Sequence, residues 1–148
     1  MILSPKVLRW RRLVRRYFHT RYDRRLALLV LRCESNGDPD AVSEKEWVGT
    51  PPPGYDGSAG TRASGLFQHV PAYWPDRLRA ARVWYSRKGV FLPLYTDSIF
   101  NPALNVAVAA WLVYDGWHIE SAPNWQHWSG AHVGIEGCYE RAKAQIGE

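Results

Sequence analysis

One stretch constrains this chain more than any other: residues 102–114, Pro-Ala-Leu-Asn-Val-Ala-Val-Ala-Ala-Trp-Leu-Val-Tyr. Asn101 can cap a helix there, Pro102 fits the first turn, where a missing N–H costs nothing, and Gly116 stands where the helix should stop. From 104 to 114 the apolar residues fall nearly all round the helix, so other elements must surround it. The longest unbroken apolar run, 106–114, is far short of the roughly twenty residues that a bilayer-spanning helix needs. The segment therefore predicts the buried central helix of an all-α domain, and 148 residues suit one domain rather than two.

Other segments supply what could pack around it. Leu3, Val7, Trp10, Val14 and Tyr17 recur at alternating four- and three-residue steps, with arginines between them. This predicts a basic amphipathic helix over residues 1–22, whose stripe docks on the domain or meets a membrane surface or anionic polymer. Asp23 is the expected cap of a second helix through Leu26, Ala27, Leu29, Val30 and Cys33, which the turn residues 35–39 end. Glu34 then falls in the last helical turn. Residues 47–64 are rich in Gly, Pro and Ser and predict a long loop or short hairpin. Pro75 is expected to open a third helix through Leu78, Ala81 and Trp84, and residues 136–146 a final one. The reading is an N-terminal helix over 1–22 followed by a helical domain over 23–148.

Charge is unevenly placed. The chain carries +5 overall, but residues 1–32 hold ten Lys or Arg against one acid, Asp23, and the remainder is net negative. A nucleic-acid-binding fold spreads positive charge over its recognition surface, so nucleic acid is not the expected partner. The N-terminus alternates apolar residues with arginines and lacks the apolar core of a secretory leader. Two cysteines, Cys33 and Cys138, fit either one long-range bridge or two buried thiols. His69, His118, His127 and His132 have no metal-ligand spacing, so neither metal nor cofactor is expected.

A carboxyl at a helix C-terminus feels the negative end of the dipole, and an apolar wall beside it adds desolvation; both raise its pKa. Glu34 has that position. A carboxyl protonated near neutral pH can protonate a leaving oxygen, the step that glycosidic cleavage requires. Helix ends also commonly carry solvated acids, so position alone does not choose between these readings.

The surrounding motifs do. Cys33-Glu34-Ser35 runs through a small turn into Pro39-Asp40-Ala41-Val42-Ser43; then come Gly65-Leu66-Phe67-Gln68, with Pro71 shortly after, and Asn101-Pro102-Ala103-Leu104-Asn105. In that order, over about residues 24–130, they resemble the soluble lytic transglycosylase and goose-type lysozyme superfamily, with Phe67 in place of the usual Met. The resemblance implies a lysozyme-like fold in which Glu34 is the catalytic acid and then base. It also implies that Ser35 and Ser43 support the turn and bond to Glu34, that Gln68 faces sugar, and that the Gly65-Leu66-Phe67 backbone runs along an acetamido group.

The family's Ala-Tyr-Asn motif is missing after the central helix. Gly116-Trp117-His118 and residues 124–129 stand there instead, closer to resuscitation-promoting factor domains, whose resemblance suggests a Cys33–Cys138 bridge. Tyr73, Trp74, Trp125 and Trp128 are the expected sugar-stacking rings. A second acid would decide between hydrolysis and transglycosylation. Asp38, Asp40, Glu44, Glu46, Asp56 and Asp97 are available, but no pattern singles one out. The implied substrate is peptidoglycan, cleaved at the MurNAc-β-1,4-GlcNAc bond by a monomeric transglycosylase or lysozyme. The expected setting is a phage virion or release to the bacterial wall. A non-catalytic wall-binding module and a membrane-active protein acting through residues 1–22 are the rival readings.

Overall fold

The computed structural model describes residues 2–57, 60–114 and 123–147. Among the described residues six α-helices carry the fold: α1 (Pro5–Leu8), α2 (Arg11–Tyr17), α3 (Arg21–Ser35), α4 (Trp74–Ser86), α5 (Pro102–Tyr114) and α6 (Cys138–Ile146). Two 3₁₀ turns, Gln126–Trp128 and Ala131–Val133, lead into α6. Among the described residues there is no strand, only isolated antiparallel bridges from Ser64 to Val42 and His69. None of the described helices is long and apolar enough to cross a membrane.

The central helix is α5, where every residue from Leu104 to Val113 is buried. Asn101 caps it, its Oδ1 accepting the Leu104 N–H at 3.0 Å. Helices α2 and α4 pack on α5, while α3 pairs with α6. The Tyr85 hydroxyl of α4 donates to the Ala107 carbonyl at 2.7 Å, satisfying a polar group that would otherwise be stranded in the core. Residues 115–122, with Gly116, Trp117 and His118 among them, lie outside the described residues.

The N-terminal segment differs from the single helix expected. It forms two short helices with a break at Arg9 and Trp10, and the Trp10 indole N–H reaches back to the Gly37 carbonyl at 2.8 Å. Val7, Trp10, Val14 and Tyr17 are all buried in the same core as α5, so the apolar stripe is already occupied. At Gly37, with φ of 80°, an added Cβ would strike the Lys6 carbonyl. The first residues are thereby held against the turn that follows α3.

That turn ends α3. Asn36 adopts the left-handed conformation, φ 52°, and its N–H closes on the Arg32 carbonyl. At the other end the cap is Thr20, not Asp23: Thr20 Oγ1 accepts the Asp23 N–H at 3.0 Å. Asp23 is buried one turn in and accepts the Tyr114 hydroxyl at 2.7 Å. A threonine three residues ahead supplied the capping oxygen and released the carboxylate for this long-range bond. Cys33 and Cys138 are joined by a disulfide, which ties the last turn of α3 to the start of α6.

Candidate active site

Glu34 lies in the last turn of α3, half-buried, one residue from the disulfide. No hydrogen bond or ion pair joins its carboxyl to another described residue. Burial pushes this carboxyl up from the ordinary glutamate range to about 7, because the charged form loses hydration that no partner replaces. It is therefore largely protonated at mildly acidic pH and can both give and take a proton near neutrality.

Glu34 also sits where two grooves meet. One, of about 330 Å³, is lined by Ser43, Trp47, Gln68, Tyr73 and Arg77 among others. The second, of about 590 Å³, runs past Lys45, His132 and Glu136. Glu34, His127 and Trp128 line both, so the acid stands between two adjoining hollows.

The long loop between α3 and α4 builds the first groove, and Asn105 of α5 anchors it. The buried Asn105 side chain accepts the Phe67 N–H at 2.8 Å and donates to the Ile99 and Ser64 carbonyls at 2.8 and 3.3 Å. Its own carbonyl accepts the Nε2–H of His69 at 2.9 Å, which fixes that ring's tautomer. His69 is fully buried, and desolvation lowers its pKa to about 3. Gly65 has φ of 83°, and an added Cβ would run into the Asn105 amide. Here glycine is required by the helix behind it.

This packing sorts the residues expected at the site. Ser43, Gln68, Tyr73 and Trp128 line the groove with Glu34. Gln68 has φ of 53°, and its amide donates to the Ala41 and Gly65 carbonyls, both at 3.1 Å. That loop residue is thus locked in place. Trp128 is 3% exposed and donates its indole N–H to the Phe67 carbonyl, so it forms a wall rather than a projecting platform.

Other expected contacts are not formed. Ser35 bonds to the Leu31 carbonyl and the Gly37 N–H, Ser43 Oγ accepts the Lys45 N–H, and neither hydroxyl is bonded to Glu34. Leu66 and Phe67 are fully buried, with the Phe67 N–H donating to Asn105 and its carbonyl accepting the Trp128 indole, so their side chains pack the core. Trp125 is core as well, stacked on Phe18 and Tyr139. Trp74 is buried, its indole on the Asp97 carbonyl, and lines a separate hollow with Arg79 and Arg82. Each was drawn inward by the gain from burying a large apolar area.

Three groove residues were not anticipated. Trp47 meets the Tyr73 ring edge-on at 5.4 Å. Arg77 places its guanidinium 5.0 Å from the Tyr73 ring centre, with Nη1 3.5 Å from His127 Nδ1. Burial lowers the pKa of Arg77, and of His127 well below the ordinary histidine value, with the arginine adding to the effect on His127. Their signal lay only in the fold, since residues 47, 77 and 127 are brought together from three separate segments. Of the acids considered as a second carboxylate, Asp38, Asp40, Glu44, Glu46, Asp56 and Asp97, none lines either groove with Glu34. Glu136 does line the second, 60% exposed and 3.9 Å from Arg141. Among the described residues no three His, Cys, Asp or Glu side chains gather as a metal site; His118 lies outside them.

An all-α domain with a groove across a helix-end glutamate is the architecture of lysozyme-like, polysaccharide-cleaving domains. Residues 19–148 match the family model of the transglycosylase SLT domain, and the chain belongs to that family of peptidoglycan-cleaving, glycosidase-type enzymes. No curated protein and no solved structure matches it.

Proposed function

We propose that this chain is a lytic transglycosylase that cleaves the MurNAc-β-1,4-GlcNAc bond of peptidoglycan with Glu34 as its one acid and base. The observation that carries this reading is the half-buried Glu34 carboxyl at the junction of two grooves, raised to about 7 and unpartnered among the described residues. Protonated Glu34 donates to the glycosidic oxygen as the bond from that oxygen to C1 breaks. The carboxylate left behind then takes the proton of the same sugar's 6-hydroxyl as that oxygen bonds to C1. A 1,6-anhydro product forms, Glu34 is protonated again, and no water is consumed.

Ser43, Gln68 and Tyr73 are the proposed polar and aromatic lining for the sugar, and Trp128 its wall. Arg77 adds a fixed positive charge suited to the carboxylates of the strand's peptide stems. The proposed place of action is the bacterial wall, reached from a phage virion or by release.

Turbidity clearing of purified peptidoglycan, followed by mass spectrometry of the released fragments, tests the proposal. Wild type should release fragments one water lighter than hydrolysed ones, and Glu34→Gln should release none. Hydrolysed fragments would instead mark a lysozyme, for which Glu136 is the groove's other carboxylate; Glu136→Gln should then abolish cleavage, whereas the one-acid mechanism predicts that it is retained. No cleavage by wild type would leave a wall-binding module.

A further inference from the structure

Another hollow, larger than either groove at Glu34, lies apart from that acid. It lies between α2 and α3, has a volume of about 720 Å³, and is lined by Arg11, Arg12, Arg15, Arg21 and Arg24 over a floor of Val14 and Leu28. We propose that this arginine groove is a second binding site, for the repeating phosphodiester groups of a flexible anionic wall polymer. The choice of a wall polymer rests on the peptidoglycan reading above; the recognition of phosphate does not.

Three independent features point to a polyanion. The groove contains no acid, and the only acid in residues 1–32, Asp23, is buried and bonded to Tyr114. No ion pair from any of the five arginines to a described residue offsets their mutual repulsion; Arg24 alone bonds, through Nε to the Phe18 carbonyl at 2.8 Å. Second, Arg21 and Arg24 stand in the first turn of the 15-residue α3, whose dipole adds positive potential at that end. Third, guanidinium forks match phosphate oxygens in pairs, and five of them across two helices suit successive phosphates along a chain better than a single small anion.

A bilayer is the poorer partner. Amphipathic insertion needs an apolar face, and the stripe of Val7, Trp10, Val14 and Tyr17 is already buried in the core. What α2 offers outward is charge. The groove is also close enough to the acid for one wall segment to engage both, because Arg24 and Glu34 are ten residues apart on α3, about 15 Å along its axis. Binding there would raise the local concentration of glycan strand at Glu34.

The test measures binding of poly(glycerol phosphate) to the full chain across a salt series, with no cleavage involved. For wild type, the logarithm of affinity should fall with the logarithm of salt at about −0.7 per contacted phosphate, so three to five contacts give a slope of about −2 to −3.5. The triple variant Arg12→Gln, Arg15→Gln, Arg21→Gln should lose at least about tenfold in affinity at low salt and flatten the slope by about 2. Arg87→Gln, Lys88→Gln, Lys143→Gln removes the same net charge elsewhere and should stay within about threefold of wild type. Both variants should clear peptidoglycan stripped of phosphate polymer as wild type does, which separates failure here from failure of the enzymatic reading.

Equal loss in the two triple variants would overturn the proposal in favour of net charge. Tighter binding to phosphatidylglycerol vesicles, or to duplex DNA, than to the polymer would overturn it in favour of a membrane or a nucleic acid.

Discussion

Replacing Cys33 and Cys138 together by serine should cost this domain about a third or more of its stability. The bridge spans a sequence separation of 105 residues, most of the chain. Closing a loop of about that length removes unfolded-chain entropy equivalent to about 4.7 kcal/mol at 25 °C. On the folded side little changes, because α3 and α6 remain packed along their length and serine is only slightly smaller than half a disulfide. Domains of this size are stable by about 5–15 kcal/mol, so the variant should fold but sit near the margin. With a urea dependence of about 2 kcal/mol per molar, the midpoint should fall by about 2 M, and reduced wild type should unfold where the double-serine variant does. Urea titration followed by tryptophan fluorescence reads this directly. A midpoint shift below about 0.5 M would refute the loop-entropy argument.

Asn105→Ala removes three side-chain hydrogen bonds that hold the groove loop, two buried and one partly buried, and should destabilise by about 3 kcal/mol, measured as a urea midpoint shift, while lowering activity through loosened placement of Gln68. His69 gives a pH dependence of stated sign. Its folded pKa of about 3 lies below the 6.5 of the unfolded chain, so its contribution is complete above pH 6.5 and is lost as pH falls toward 3. At about 1.4 kcal/mol per pKa unit the loss approaches 5 kcal/mol, and His69→Phe should flatten the stability profile over that window. Glu34 has the opposite sign: its raised pKa leaves stability intact below about pH 4.5 and erodes it as pH rises toward 7. Glu34→Gln should therefore unfold at a higher denaturant concentration than wild type at pH 8 and at the same concentration at pH 4.

What local pattern determines was readable in the chain. Residues 102–114 announce a buried helix because apolar side chains all round a helix leave it no other place, and Asn101 caps it as its chemistry directs. Glu34 could be put in the last turn of α3 because Ser35, Asn36 and Gly37 are turn formers, and Asn36 takes the left-handed conformation there. The aromatic residues were less legible. Tryptophan serves equally as a sugar platform or a core residue with one buried hydrogen bond, and the structure chose the core for Trp74 and Trp125. The same limit hid Arg77 and His127. Arg77 belongs to no motif, His127 was quoted only as part of residues 124–129 with no role of its own, and the two become neighbours only when α4 and the 3₁₀ turn Gln126–Trp128 meet beside Glu34. The helix break at Trp10 was equally hidden, because the indole's partner, the Gly37 carbonyl, lies 27 residues away.

The account turns on one carboxyl holding its proton near neutral pH. Carbon-13 NMR of glutamate-labelled protein, with the Glu34 carboxyl assigned by its absence from Glu34→Gln, reads that titration directly. A midpoint near 7 is the predicted result. Titration at the ordinary value of about 4.3 would contradict the account, since Glu34 would then be a spent anion at the pH where the wall must be cut.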